Sequence, residues 1–359
     1  MARNCCASID LNAIKKNYLY AKSLAPKSNA IAVIKGNAYG HGAIKVASHL
    51  ETSADCFGVA CIEEALDLTN AGILKAPILL LEGVFEESEL SLVDRNSFWM
   101  VVCNTAQIEW ILKSKPINKY YIFLKIDTGM GRLGFQEEDS IKVISALEKS
   151  NNVRKITLMT HFSSADNQGS DSTKTQINKF NQIIEIKQND QSLSNSAAIM
   201  TFTETHREFT RPGIMLYGSS PFSFDEQPNE LIPAMTLETS LISLKKFKSG
   251  DTIGYGQRYV CKKDTLIGVA AIGYADGYRR SAKDGTPVYI NGGIARLSGR
   301  VSMDMITIDL TGIKSPQIGD RVELFGSNVS IDEVAQYCNT ISYEIFSQIT
   351  SRVYKTYVP

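Results

Sequence analysis

The 359-residue sequence predicts an N-terminal (β/α)8 barrel followed by a smaller, mostly β domain, and two observations lead to this fold class. Up to about residue 218, eight short apolar runs alternate with segments whose apolar residues recur three and four positions apart. From about residue 232, short runs rich in Val, Ile, Thr and Tyr alternate with Gly and Asp turns, a pattern typical of β domains. We therefore expect the barrel at residues 8–231 and the β domain at residues 232–359.

The eight apolar runs are interpreted as barrel strands. Parallel strands that helices cover on both faces have continuously apolar sequences, and eight βα units in about 220 residues fit the length of such a barrel. A doubly wound open sheet is the alternative, because periodicity alone cannot close a barrel. The runs are AIAVIK (30–35), CFGVA (56–60), PILLLEG (77–83), FWMVV (98–102), YYIFLKID (120–127), ITLMTHF (156–162), the weak QSLSNSA (191–197) and TRPGIMLYG (210–218).

Helices and a linker are predicted from local signals. IEEALDLTNAG (62–72), NTAQIEWILK (104–113) and DSIKVISALEK (139–149) have one apolar face each, as surface helices do. In the β domain, SIDEVAQYCNT (330–340) reads as a helix with Ser330 as N-cap and Glu333 completing a capping box. Residues 219–233 are rich in Ser, Pro and acidic residues, which suits a linker between the domains.

Composition excludes several functional classes. Lys plus Arg equals Asp plus Glu, at 38 each, so the overall charge favours neither nucleic acid nor an acidic membrane surface. The N-terminus lacks the apolar core of a signal peptide and no window is long and apolar enough to span a bilayer, so we expect a cytoplasmic protein. Seven cysteines without a C-x-x-C pair fit neither a disulfide framework nor a zinc module, and reduced thiols are expected.

Polar residues cluster where the predicted strands end, which is where barrels carry their chemistry. Lys35 closes the first run, KIDTGMGR closes the fifth, His161 the sixth, and Asn195 and Ser196 the seventh. Arg211 and Gly213 lie at the eighth run. If the barrel closes, these groups meet at one mouth. The four histidines are scattered, so metal-assisted hydrolysis is disfavoured.

Each of these residues has two interpretations. A strand-end lysine such as Lys35 usually extends to water, but an amine in apolar surroundings can instead stay neutral and form a Schiff base. The glycines after Lys35 leave room for a ligand, and Tyr39 adds a hydroxyl. Arg132 is either a surface charge or a clamp for a carboxylate. His161 is either a core histidine or a catalytic group, and RPGIMLYG either begins a strand or offers the N–H groups of Gly213 and Ile214 to a phosphate.

Eight motifs, in this order and from end to end, resemble the bacterial alanine racemases. They are AVIKGNAYGHG, KIDTGMGRLGF, THFSSAD, NSAA, RPGIMLYG, IGYGQRY, GYADGYRR and SGRVSMDM. The resemblance implies a pyridoxal 5′-phosphate (PLP) enzyme with a (β/α)8 barrel and a C-terminal β domain, to which residues 1–7 add a strand. It also implies a head-to-tail homodimer, in which each active site receives residues from the partner's β domain. The implied reaction interconverts L-alanine and D-alanine and supplies D-alanine for peptidoglycan.

By position, the resemblance assigns a role to each site residue. Lys35 matches the lysine that binds PLP and serves as the base for D-alanine, and Tyr255 matches the opposite base, for L-alanine, from the other subunit. His161 counts among the cofactor contacts and hydrogen-bonds Tyr255, while Arg211 faces the pyridine nitrogen. The other cofactor contacts are Tyr39, Ser196, Gly213, Ile214 and Tyr343; Arg132 and Met303 contact the substrate carboxylate; and Lys125 matches a lysine that is carbamylated in many members and then fixes Arg132.

Departures from the family pattern are small, and rival functions stay open. Gly36 stands where alanine is usual, and Ser342 stands where proline is common, before Tyr343. Within the racemases, serine or a broader set of amino acids is an alternative substrate. A PLP-dependent decarboxylase with the same barrel is disfavoured by GYGQRY and SMD, and a non-catalytic PLP carrier is disfavoured by the β domain.

Overall fold

The computed structural model describes residues 3–222 and 230–359, so residues 223–229 of the predicted linker at 219–233 lie outside the described residues. Its strands are β1 (Cys6–Asp10), β2 (Asn29–Val33), β3 (Cys56–Val59), β4 (Ile78–Leu80), β5 (Trp99–Val102), β6 (Tyr120–Lys125), β7 (Val153–Met159), β8 (Asp190–Ser192), β9 (Phe209–Thr210), β10 (Met235–Phe247), β11 (Thr252–Ile253), β12 (Tyr259–Val260), β13 (Thr265–Ala270), β14 (Pro287–Ile290), β15 (Gly293–Leu297), β16 (Ile306–Asp309), β17 (Arg321–Phe325) and β18 (Tyr354–Val358). Its α-helices are Leu11–Leu24, Ala43–Leu50, Ile62–Asn70, Leu90–Asn96, Thr105–Lys113, Glu137–Glu148, Ser172–Ile186, Ser196–Thr201, Ile331–Cys338 and Ser342–Ser347.

Strands β2 to β9 form a closed barrel in chain order, and every neighbouring pair is parallel. The closing contact joins β2 to β9 through Asn29 and Phe209, and through Ala30 and Thr210. This closure confirms the barrel and excludes the doubly wound sheet. Side chains such as Ile31, Leu79 and Phe123 fill the interior, as expected for a barrel of this size.

The seventh and eighth strands are shorter than the sequence indicates. Of QSLSNSA, only the first two residues belong to β8, and Ser196 already begins a helix. Of TRPGIMLYG, only Thr210 belongs to β9, while Ile214–Tyr217 is a 3-10 helix. The prediction of a strand over 210–218 was therefore wrong. The physical reason is Pro212, which has no backbone N–H with which to continue the ladder.

The helices predicted from local signals are confirmed. Residues Ile62–Asn70, Thr105–Lys113 and Glu137–Glu148 are helical, and each buries the apolar residues spaced three and four apart. Ser330 is the N-cap of the helix Ile331–Cys338, since its hydroxyl accepts the N–H of Asp332.

All seven cysteines are free thiols and five of them are buried. Within residues 3–222 and 230–359, we found no helix both long and apolar enough to cross a bilayer.

A second sheet contains the remaining long strands. It has eight strands in the order β13-β16-β15-β14-β17-β10-β1-β18, and β10 also pairs with β13, which closes six of them on themselves. In the first half of the long strand β10, buried and partly exposed residues alternate, as in a strand with one face on a core. The N-terminal strand β1 lies in this sheet between β10 and β18, antiparallel to the first and parallel to the second.

The chain divides into two compact units. One contains residues 15–38 and 42–216, with the closed barrel, and we call it the barrel unit. The other contains residues 1–14, 39–41 and 217–359, with the second sheet, and we call it the β unit. The predicted domain limits of 8–231 and 232–359 stay a prediction.

Candidate active site

Five ionisable side chains of the barrel unit follow the C-terminal ends of its strands. Lys35 comes two residues after β2, Lys125 ends β6, His161 comes two residues after β7, and Arg211 follows β9 directly. Arg132 lies in the loop after β6. The carboxyl ends of parallel strands meet at one mouth of a barrel, and electrostatic interactions among these five groups show that they meet here.

The backbone after Lys35 forms a left-handed turn rather than a continued strand. Gly36, Asn37, Ala38 and Tyr39 have φ values of 61°, 54°, 55° and 51°. A left-handed conformation costs roughly 1–2 kcal/mol for each residue that has a Cβ, so such a run persists only where other contacts hold it. The Asn37 side chain accepts the N–H of Ala43 at 2.9 Å and its carbonyl accepts that of Gly42 at 2.9 Å.

Lys125 is a buried amine surrounded by cations. Burial first, and then the positive charges of Arg211, Arg132 and Lys35, together lower its pKa to about 8. An amine with this pKa is partly neutral at physiological pH. It is therefore more nucleophilic than an ordinary lysine.

His161 is neutral at physiological pH. Burial first, and then the positive charges of its neighbours, together lower its pKa to about 3; these neighbours are Arg211, Lys125, Arg132 and Lys35. A neutral imidazole can accept a hydrogen bond on one ring nitrogen and donate one from the other.

Arg211 is a buried guanidinium with its partners fixed. It donates to the Ser192 hydroxyl at 2.6 Å, to the Thr160 carbonyl at 2.7 Å and to the Leu193 carbonyl at 3.1 Å. Burial lowers its pKa to about 10, so it stays charged at physiological pH. These bonds hold the side chain rigidly across the ends of the last barrel strands.

The loop DTGMGRLGF, which carries Arg132, is organised by one carboxylate. Oδ1 of Asp127 accepts the N–H groups of Gly129, Met130 and Gly131 at 2.9–3.0 Å. Gly134 has a φ of 119°, and a Cβ there would lie 2.8 Å from the Asp127 nitrogen. The loop thus needs Asp127 and Gly134 for its shape, and it leaves Arg132 exposed.

Ser196 and Gly213 form a small polar centre near the last two strands. The Ser196 hydroxyl accepts the N–H of Gly213 at 2.9 Å and lies 3.5 Å from that of Met215. Its own hydrogen is therefore available for a ligand oxygen. Ile214, the remaining predicted member of this centre, begins the 3-10 helix and is buried.

Two predicted cofactor contacts meet within the β unit. The rings of Tyr39 and Tyr343 have centroids 5.9 Å apart, and Tyr39 also packs on Tyr217 at 4.8 Å. Burial raises the pKa of Tyr39 to about 12, so its phenol stays protonated and can donate a hydrogen bond. Ser342, which stands where proline is common, has its hydroxyl 2.5 Å from that of Ser219 and so anchors the helix that carries Tyr343.

Tyr255 and Met303, also in the β unit, are strongly exposed. Tyr255 is 69% exposed and Met303 is 53% exposed. Exposed apolar side chains of this size can contribute to a contact with another protein surface. Tyr255 begins a 3-10 turn whose Gly256 has a φ of 68°.

Sequence reasoning missed several residues that support the site. Gln176 donates to the Thr128 hydroxyl and to the His161 carbonyl, both at 3.1 Å, and Thr128 in turn bonds Thr160 at 2.7 Å. Gln176 lies on a distant helix, and no local pattern marks it. Asp127 had a signal, since an Asp followed by glycines is typical of turns in which its carboxylate binds the backbone. The described part of the chain has no group of three or more His, Cys, Asp or Glu that could hold a metal ion.

Comparison with known proteins assigns the chain to a family. Residues 9–221 match the model of the alanine racemase N-terminal domain, and residues 234–357 match that of the C-terminal domain. The chain belongs to the alanine racemase family. The alanine racemase of Pasteurella multocida is 44% identical over 353 residues, which cover 98% of both chains. A catabolic alanine racemase of Pseudomonas putida is 44% identical over 356 residues, again with 98% of both covered.

Solved structures of alanine racemases have the same fold. The biosynthetic alanine racemase of Pseudomonas aeruginosa superposes with a TM-score of 0.96 at 42% identity, over 99% of this chain and 100% of that one. The alanine racemase of Bartonella henselae superposes with a TM-score of 0.90 at 29% identity, over 99% of each chain, and it carries covalently bound pyridoxal phosphate. The expected fold class, a barrel followed by a β domain, is confirmed.

Proposed function

We propose that the protein is a PLP-dependent alanine racemase, an isomerase that interconverts L-alanine and D-alanine with Lys35 and Tyr255 as opposite bases. The observation that supports this most directly is the cluster of Lys35, Lys125, Arg132 and Arg211 at one barrel mouth. Each of these cations disfavours the protonation of His161, so the mouth is strongly electropositive. A small amino acid has a carboxylate that such a mouth attracts.

The residues present fit PLP by their chemistry. Lys35 offers an amine for the aldehyde, and the Ser196 hydroxyl with the N–H groups of Gly213 and Ile214 offers donors for a phosphate. Tyr39 and Tyr343 would add phenol donors to the phosphate, and Arg211 would donate to the pyridine nitrogen. When bound, PLP withdraws electrons from the substrate and makes the Cα proton removable.

Racemisation then requires two proton-carrying groups, because a proton leaves one face of Cα and another arrives on the opposite face. Lys35 would take the proton from D-alanine and Tyr255 would take it from L-alanine. Positioned groups of this kind contribute about 10²–10⁴-fold to a rate. His161, being neutral, keeps one N–H, which would donate a hydrogen bond to the Tyr255 oxygen and stabilise its deprotonated form.

Two arginines would bind the substrate and the cofactor. Arg132, on the loop built around Asp127, would bind the substrate carboxylate, and Met303 would contact the same group. Carbamylation of Lys125 would convert a repulsive cation beside Arg132 into an attractive anion. The partly neutral amine is the form that reacts with carbon dioxide. Arg211 keeps its charge and would leave the pyridine nitrogen unprotonated, which limits side reactions.

The second base is proposed to come from another copy of the chain. Tyr255 and Met303 are exposed in the β unit, and we infer a homodimer in which they complete the barrel mouth of the partner subunit. A cytoplasmic location and a role in peptidoglycan synthesis are expected from the family resemblance and stay predictions.

The decisive experiment follows the alanine α-proton. The purified protein with added PLP should exchange that proton for solvent deuterium, starting from either enantiomer, and should form the other enantiomer. Absence of exchange would exclude racemisation. The variant Tyr255→Phe is the control: it should retain PLP but lose most turnover, whereas a mere carrier of PLP would lose nothing.

Two rival functions are distinguished by further assays, one by its substrate range and the other by its product. Comparing kcat/KM for alanine, serine and lysine shows whether the substrate range is broad. Release of carbon dioxide from diaminopimelate or ornithine would instead identify a decarboxylase.

A further inference from the structure

We propose that Glu64 is a positioning residue that holds Lys35 at the barrel mouth by clamping the left-handed turn behind it. The effect on turnover rests on the proposed racemase function, whereas the clamp itself does not. Glu64 lies in the first turn of the helix Ile62–Asn70 and is not among the predicted site residues.

The turn needs such a clamp because it is strained. Five consecutive residues, Gly36 to Gly40, have positive φ, and three of them, Asn37, Ala38 and Tyr39, carry a Cβ. At roughly 1–2 kcal/mol for each, the turn would relax toward ordinary backbone if its hydrogen bonds were lost. Because Lys35 is the residue before the turn, any relaxation would redirect its side chain.

The carboxylate of Glu64 bridges the ends of two strands. One oxygen accepts the N–H of Gly36 at 2.7 Å, and the other accepts the N–H of Ala60 at 2.8 Å. Ala60 directly follows β3, and Gly36 directly follows Lys35. A charged acceptor makes stronger hydrogen bonds than a neutral one. Glu64 thereby fixes the first residue of the turn to the neighbouring barrel strand.

The rest of the turn is held by hydrogen bonds that do not involve Glu64. The N–H of Ala38 bonds the Ile34 carbonyl at 2.7 Å, and Asn37 bonds Gly42 and Ala43. Loss of the Glu64 side chain should therefore loosen the link between Gly36 and Ala60 without unfolding the barrel. The expected defect is local and includes Lys35.

The neighbouring Glu63 provides a matched control. It has the same charge, lies in the same first turn of the helix and is exposed, with the Cys61 thiol as its partner. Replacing either residue removes one negative charge near the same helix N-terminus. Of these two residues, Glu64 is the one that hydrogen-bonds Gly36 and Ala60, so differences between Glu64→Ala and Glu63→Ala report on the clamp.

The test compares Glu64→Ala, Glu64→Gln and Glu63→Ala with the unaltered protein. In Glu64→Ala, amide hydrogen exchange at Gly36 and Ala60 should accelerate at least about tenfold, since about 1.4 kcal/mol of lost hydrogen bonding corresponds to tenfold. The affinity for PLP, measured by the absorbance of the bound cofactor, should weaken by about the same factor. Glu64→Gln, which keeps one acceptor oxygen, should fall between, and Glu63→Ala should match the unaltered protein.

Kinetics add a readout that a structural role would not give. A misplaced Lys35 should lower kcat in both directions with little change in KM for alanine, because the proposed carboxylate contact is Arg132. Unchanged exchange and PLP affinity in folded Glu64→Ala would overturn the proposal, and so would equal losses in Glu63→Ala. If Glu64→Ala does not fold, amide exchange and PLP affinity in Glu64→Gln test the proposal instead. If the unaltered protein does not racemise alanine, the exchange and PLP measurements still test the clamp.

Discussion

At the scale of single residues, the site is defined by cations held close together. Lys125 and His161 are affected by the same neighbours, Arg211, Arg132 and Lys35, and in both cases the pKa falls. A protein keeps such mutually repelling charges only at a cost in stability, which an anionic ligand can offset. The cost of the uncompensated charge on Lys125 can be measured.

Replacing Lys125 with Met should stabilise the apoprotein at low pH. Below pH 8 the lysine is charged in both the folded and unfolded states, so the free-energy penalty of burying its charge is fully present. Between pH 8 and 10.5 the unfolded chain binds the proton more tightly than the folded one, so the unfolding free energy rises with pH. At roughly 1.4 kcal/mol per pKa unit, the variant should gain about 3 kcal/mol in unfolding free energy at about pH 6. Urea unfolding in bicarbonate-free buffer measures the difference in unfolding free energy between the variant and the unaltered protein. A difference that does not shrink toward about pH 10 would contradict the prediction.

Restoring the family's usual alanine at position 36 tests the strain in the turn. A Cβ on Gly36 would meet nothing within 4 Å, so the change introduces no clash. The φ of 61° still disfavours alanine, and Gly36→Ala should lower the unfolding free energy by about 1 kcal/mol. Thermal unfolding would show it, with Gly72→Ala, another open position with positive φ, as a reference of similar cost. A stabilised Gly36→Ala would mean that the turn relaxes.

At the scale of elements, the loop after β6 is a device for presenting Arg132. Its shape depends on three backbone N–H groups that converge on one oxygen of Asp127. The loop returns to the end of β6, where the N–H of Phe135 bonds the Lys125 carbonyl at 2.9 Å. The position of Arg132 therefore follows from the local fold of about ten residues rather than from its own contacts.

Replacing Asp127 should weaken substrate binding more than catalysis. In Asp127→Ala the three N–H groups lose their acceptor, and KM for alanine should rise about tenfold, at about 1.4 kcal/mol for each factor of ten. Asp127→Asn keeps a side-chain oxygen and should recover part of the loss. Steady-state kinetics in both directions provide the measurement. A large fall in kcat with unchanged KM would assign Asp127 a different role.

At the scale of the whole molecule, the proposed homodimer completes the barrel mouth of one copy with residues of a second copy. Lys35, Lys125, Arg132, His161 and Arg211 belong to the barrel unit, whereas Tyr255 and Met303 are exposed on the β unit. If a second copy supplies Tyr255, a monomer has no complete site. This consequence separates the shared-site homodimer from a self-contained chain.

Mixing two inactive variants tests the shared site. Lys35→Ala and Tyr255→Phe should each be nearly inactive alone. After unfolding and joint refolding, half of the dimers should be mixed, and each mixed dimer should hold one intact site, giving about a quarter of the original activity. Activity that stays at the level of the separate variants would show that both bases come from one chain. Size-exclusion chromatography with light scattering checks that dimers have formed.

Much of the fold was predictable because its signals are local. The run YYIFLKID is buried along the whole of β6, and apolar residues three and four apart marked the helix Thr105–Lys113. The prediction of the eighth strand was wrong because Pro212 ends the hydrogen-bond ladder within an otherwise apolar run. Closure itself could not be predicted, since it depends on pairing between β2 and β9, which are distant in sequence.

The sequence by itself determined the order of the strands and the types of residue at their ends, and its motifs resembled the racemases strongly enough to name Lys35 and Tyr255. Only the tertiary structure decided that Lys125, His161 and Arg211 share one electropositive mouth, because their pKa values depend on burial and on charges from other strands. It alone revealed the left-handed turn and its Glu64 clamp. Backbone strain and long-range hydrogen bonds are properties of closed structures, and no local pattern encodes them.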